Sequence, residues 1–117
     1  MDLWQAVQEL SIDLDCVLAR FNGNQGLYLR FLNKFSQDKT FAALDQAVNQ
    51  RDYAGVEQAA HTLKGLAANL GLDALSDASD HLVIAMRQGN HSALSDLFLD
   101  LKNNYRKAIQ IIDRLNS

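Results

Sequence analysis

The run Asp52-Tyr53-Ala54-Gly55-Val56-Glu57-Gln58-Ala59-Ala60-His61-Thr62-Leu63-Lys64-Gly65-Leu66-Ala67-Ala68-Asn69-Leu70-Gly71 carries its apolar residues at the period of an α-helix. Val56, Ala60, Leu63, Ala67 and Leu70 recur three or four positions apart, so they share one face of such a helix. Asp52 stands where a side chain can accept the orphan amides of the first turn. Gly71 stands where a helix commonly stops, because glycine adopts the left-handed turn that satisfies the last carbonyls.

The same pattern extends in both directions. Downstream, Asp73 is placed to cap a helix with Leu75, Ala78, Leu82, Ala85 and Met86 inside, ended by Gly89-Asn90. Ser92 then opens a last helix whose stripe is Leu94, Leu97, Phe98, Leu101, Tyr105, Ala108, Ile112 and Leu115. Upstream, Gln25 to Gln50 is helical in pattern, with Tyr28, Phe31, Leu32 and Phe35 followed by Phe41, Leu44, Ala47 and Val48. The polar run Ser36 to Thr40 either bends this helix or interrupts it. Before it, Asn22-Gly23-Asn24 reads as a turn, and Asp13 or Asp15 caps a short helix holding Val17, Leu18 and Phe21. Leu3, Trp4, Val7 and Leu10 add helical material at the N-terminus, with Trp4 expected as a lid on the core and Cys16 as a small buried hydrophobe. The expected fold is all-α: an antiparallel up-and-down four-helix bundle with an additional short N-terminal helix, one domain over residues 1–117.

Composition agrees and excludes several functions. The 117 residues are 48% hydrophobic and contain no proline and six glycines, too few turn formers for an all-β chain. A net charge of −3 with no basic stripe argues against nucleic acid. No apolar run approaches a membrane span, and the N-terminus lacks a signal-peptide pattern, so cytoplasmic localisation is expected. The lone Cys16 allows no internal disulfide.

On the helix that follows Asp52, His61 points roughly 140° away from the centre of the apolar stripe, hence to solvent. Glu57, Lys64, Gly65 and Ala68 share its outer face at i−4, i+3, i+4 and i+7. Gly65 inside a helix costs about 1 kcal/mol relative to alanine, and at an exposed position no packing explains it. A cleared patch beside an exposed histidine implies that something large approaches the ring. A neutral imidazole is a nucleophile near pH 7, and a neighbouring ammonium favours an anion attached to it. These pieces suit a transient phosphohistidine. They do not suit autonomous catalysis, because the chain has no glycine-rich phosphate loop and no acidic metal cluster at motif spacing.

His61-Thr62-Leu63-Lys64-Gly65 followed by Gly71 resembles the signature of histidine-containing phosphotransfer (HPt) domains of bacterial phosphorelays. Phe21-Asn22-Gly23-Asn24 and Leu27-Tyr28-Leu29-Arg30-Phe31-Leu32 are similar to the segment preceding that signature, and the resemblance runs over roughly residues 12 to 115. It implies a carrier that takes a phosphoryl group from the aspartyl phosphate of one receiver domain and passes it to another. His61 matches the phospho-acceptor, Lys64 the charge-stabilising lysine, and Gly65 the small residue beside the site, with Glu57 and Ala68 completing the partner-binding face. Leu66-Ala67 departs from the Ser or Gly that many members have after the Lys-Gly pair. The resemblance further implies no cofactor of its own, with Mg²⁺ held by the partner receiver. The implied partners are response-regulator receiver domains, including those of hybrid sensor kinases. A monomer is expected.

Blander readings stand beside this one. A helical adaptor bundle with an incidental surface histidine would share the pattern, and acid-labile, base-stable phosphate on the protein would separate the two. A di-iron protein is excluded by the absence of any Glu-x-x-His motif. His81 and His91 lie at no metal-ligand spacing from His61, so no metal site is expected. Asp73, Asp77 and Asp80 read as a cap and a solvated face.

Overall fold

Helix starts in the computed structural model, which describes residues 1–116, mostly fall where a short polar side chain can take the first free amides. Helix α1 (Leu3–Glu9) begins in a reciprocal capping box between Asp2 and Gln5. Helix α2 (Leu14–Arg20) is capped by Asp13, whose carboxylate accepts the Cys16 amide at 3.1 Å, so Asp13 rather than Asp15 takes that role. Asn24 caps α3 (Gln25–Gln37). The polar run then interrupts the long helix outright. Asp38 turns extended, its carboxylate accepts the Thr40 amide at 2.7 Å, and α4 (Thr40–Asn49) starts afresh. Asp52 caps α5 (Tyr53–Asn69) through the Gly55 amide.

The next two starts differ from the expectation. Leu72, not Asp73, occupies the N-cap of α6 (Asp73–Arg87); Asp73 lies in the first turn, where its charge still favours the helix dipole. Ser92 lies in a short 3-10 turn (His91–Ala93), and α7 (Leu94–Leu115) begins only after it.

These helices form the expected all-α bundle, and no strand occurs among the described residues. Helices α3 and α4 make one broken leg that runs antiparallel along α7. Asn33 meets Asn116, Phe35 meets Tyr105, and Phe41 stacks on both Tyr105 and Phe98. Helices α5 and α6 form the adjoining hairpin, and α6 also packs on α7. The apolar stripes fill the core, where Tyr28, Leu44, Val56, Ala60, Leu63, Leu82, Leu101 and Ile112 are almost completely buried.

Two short helices, not one, precede the bundle: α1 packs against α7, and α2 with the turn before it clasps the end of α5. Gly71 has φ +77°, and a Cβ there would overlap Val17 Cγ2 and lie 3.1 Å from Ile12 Cγ2. Arg20 donates to the carbonyls of Ala68 (2.7 Å) and Asn69 (3.2 Å). The buried Tyr28 hydroxyl donates to the Leu70 carbonyl at 2.7 Å. These contacts satisfy carbonyls that a helix end leaves free. Burial pushes the Tyr28 hydroxyl pKa up to about 12, against a smaller opposing pull from Arg20. The inward faces of α1 and α2 are taken by Ala6, Val7 and Val17. Trp4, 67% exposed, is therefore no core lid, and Cys16 is exposed rather than buried.

Candidate functional site

Helix α5 sets the site by burying one side and presenting the other. Val56, Ala60, Leu63 and Ala67 are inside. His61 is exposed near the middle of the helix, on the opposite face, as its helical angle requires. Gly65, one turn later, is also exposed, and a Cβ built on it would meet nothing within 4 Å. Helix packing therefore does not demand the glycine, and the surface beside the imidazole is open.

The other residues expected on this face are present but engaged. The Lys64 ammonium donates to Asp80 Oδ1 at 2.8 Å, across from α5 to α6. Glu57 accepts from Arg87 Nε at 3.3 Å between the same two helices. Ala68 is half-buried, and its carbonyl is held by Arg20. The two ion pairs thus stand on α5 one turn before and one turn after His61. Interpolating between them puts His61 level with Val83 and Ile84 on α6. Val83 is buried, whereas Ile84 is 43% exposed.

Asp80 keeps its side chain open to water, as the sequence pattern predicts, but it is not merely solvated. It is bonded to Lys64, and that hydrogen bond is the main cause holding its carboxyl below the usual carboxylate range. Ser76, beneath it on α6, donates its hydroxyl to the Lys64 carbonyl at 3.2 Å. A signal for this pairing exists in the sequence. In a tight helical hairpin, residues equally far from the turn face each other. Lys64 and Asp80 are equidistant from Leu72, and so are Glu57 and Arg87.

Of the remaining histidines, His81 follows Asp80 on α6 and adds to the charges that lower the Asp80 carboxyl. His81 is exposed, and His91 stacks on Tyr53 with ring centres 3.6 Å apart. No group of three or more His, Cys, Asp or Glu residues is placed to hold a metal ion among the described residues. Nor is any helix among them long and apolar enough to cross a membrane. What the arrangement offers is one accessible nucleophilic ring, cleared on one side, with an ammonium one turn away.

The sequence matches the Hpt domain family over residues 33–113, more than half of the chain. That span holds α4, α5, α6 and nearly all of α7, with the whole His61 face of α5, while α1, α2 and most of α3 precede it. Neither a curated protein nor a solved structure matches the chain.

Proposed function

Because the chain belongs to the Hpt domain family, whose members carry phosphoryl groups in two-component signalling and are not enzymes in their own right, we propose that His61 is the residue that carries the group here. The supporting observation is the joint exposure of His61 and Gly65 on the outer face of α5, with nothing within 4 Å of where a Gly65 side chain would begin. A receiver domain needs that space to bring its aspartyl phosphate to the ring.

In the transfer, an imidazole nitrogen of His61 attacks the phosphorus. An N–P bond forms as the P–O bond to the aspartyl carboxylate breaks, and the carboxylate departs with the bonding pair. The reverse step delivers the phosphoryl group to a second receiver. Phosphoryl transfer is governed by positioning and charge neutralisation. This chain supplies the rigid helix that positions the ring and, in Lys64, a charge to set against the phosphoryl oxygens. Mg²⁺ and the acidic pocket that binds it belong to the receiver, so no cofactor is assigned to this chain. Glu57, Gly65 and Ala68 border the approach and are assigned to docking. The setting is the cytoplasm, where receivers reside, and the working form is a monomer.

The test is transfer from a receiver charged with acetyl phosphate. Wild-type protein should take up label, and His61→Gln should take up none while its melting temperature stays within a few degrees, since an exposed exchange costs under about 0.5 kcal/mol. Label that persists, or that moves to His81 or His91, refutes the assignment. Stable docking to a charged receiver with no label passing to this protein would favour an adaptor.

A further inference from the structure

We propose that Asp80 is a positioning residue for the transfer: by holding the Lys64 ammonium in the unphosphorylated protein, it sets how far the equilibrium lies toward phosphohistidine. This rests on His61 as the acceptor.

The geometry makes Asp80 a competitor for the charge that the phosphoryl group would use. Lys64 follows His61 by one helical turn, yet its ammonium is bonded to Asp80 Oδ1 at 2.8 Å. Lys64 is anchored at that level by the bond from Ser76 to its carbonyl, so only the flexible side chain can move. Both side chains of the pair are open to water, 41% exposed for Lys64 and 37% for Asp80. An open pair of this kind biases an equilibrium by no more than about fivefold, so it can break on demand. The Asp80 carboxyl, held below the ordinary carboxylate range chiefly by this bond, is ionised at neutral pH.

A phosphoryl group on His61 adds up to about two negative charges within reach of the lysine. Lys64 then divides between two anions, and whatever it gives the phosphoryl group it takes from Asp80. Removing the Asp80 charge ends this competition. The ammonium is free before transfer, and the phosphohistidine gains stability relative to the receiver's aspartyl phosphate. Glu57, bound to Arg87 on the other side of His61, does not engage Lys64, so the competition runs through Asp80.

The experiment measures how radioactive phosphoryl partitions at equilibrium between the full chain and a receiver charged with acetyl phosphate. Asp80→Asn should raise the phosphohistidine-to-aspartyl-phosphate ratio about two- to fivefold. Asp80→Glu, which keeps the charge, should return the ratio toward wild type. In a Lys64→Gln background, Asp80→Asn should change nothing, a result no purely structural role would produce. An unchanged ratio in Asp80→Asn overturns the proposal. So does an equal rise in the Lys64→Gln background, which would mean that Asp80 acts directly on the phosphoryl charge. In both cases His61 still labels, and the carrier reading stands. If wild-type His61 takes no label from any charged receiver, the carrier reading fails and the proposal falls with it.

Discussion

Gly65 offers a perturbation whose effects on stability and on transfer should run in opposite directions. It sits inside α5, is exposed, and has open space where a side chain would start. Its conformation is ordinary helix, so a side chain there meets neither backbone strain nor a neighbour. Gly65→Ala should therefore recover the helix propensity that glycine forgoes, about 1 kcal/mol, and raise the melting temperature by about 4 °C. Glutamine is nearly as good a helix former, so Gly65→Gln should also gain stability. Its long side chain, however, stands one turn from His61, where the two Cβ positions are about 5–6 Å apart. There it fills the space a receiver must enter. Displacing reacting groups by about 1 Å can slow a reaction by about a hundredfold, so transfer to Gly65→Gln should fall by about tenfold to a hundredfold. Gly65→Ala, adding one methyl group, should stay much closer to wild type. The assays are thermal unfolding and single-turnover transfer from a phosphorylated receiver. Unfolding of Gly65→Gln would show that the glycine serves packing. A folded Gly65→Gln that transfers at the wild-type rate would refute steric clearance.

The clasp on the end of α5 yields further expectations. Gly71→Ala combines left-handed strain of about 1–2 kcal/mol with overlap against Val17, about 1–3 kcal/mol more. Gly89→Ala, with φ +69° but open space, should incur only the strain, and equal losses of melting temperature in the two variants would contradict the overlap. Tyr28→Phe strands the buried Leu70 carbonyl at a cost of about 1–3 kcal/mol, lowering the melting temperature by about 4–12 °C. With its hydroxyl pKa raised to about 12, Tyr28 favours the fold fully below pH about 10 and loses that contribution, about 2–3 kcal/mol, as pH rises toward about 12. Burial raises the Tyr105 phenol as well, so both proteins decline across that window; urea unfolding should show the decline smaller in Tyr28→Phe by the Tyr28 contribution, and equal declines would refute it.

The bundle is legible in the sequence because its long helices repeat their apolar residues over several turns, long enough for one face to stand out. The exposure of His61 follows from that same angle. Short helices lack this averaging. Around the seven residues of α1, Leu3, Trp4, Val7 and Leu10 suggest one face, whereas burial centres on Ala6 and Val7 and leaves Trp4 outside. Cys16 misleads for the same reason, one position from the buried Val17. The break at Asp38 turns on a single side-chain bond to the Thr40 amide, which a polar run permits without requiring. Asp80 illustrates a different gap. Its partner lies on another helix, so its part in the site emerges only from the register of the α5–α6 hairpin. Within one helix it is merely another polar position.

Whether His61 carries a phosphoryl group reversibly is decided by isolating the labelled protein and asking two things of it. The phosphate should be acid-labile, base-stable and confined to the peptide containing His61. On addition of fresh unphosphorylated receiver, that label should leave this protein and reappear on the receiver's aspartate. Label on any other residue, or label on His61 that only hydrolyses and never reaches a receiver, would contradict a reversible carrier.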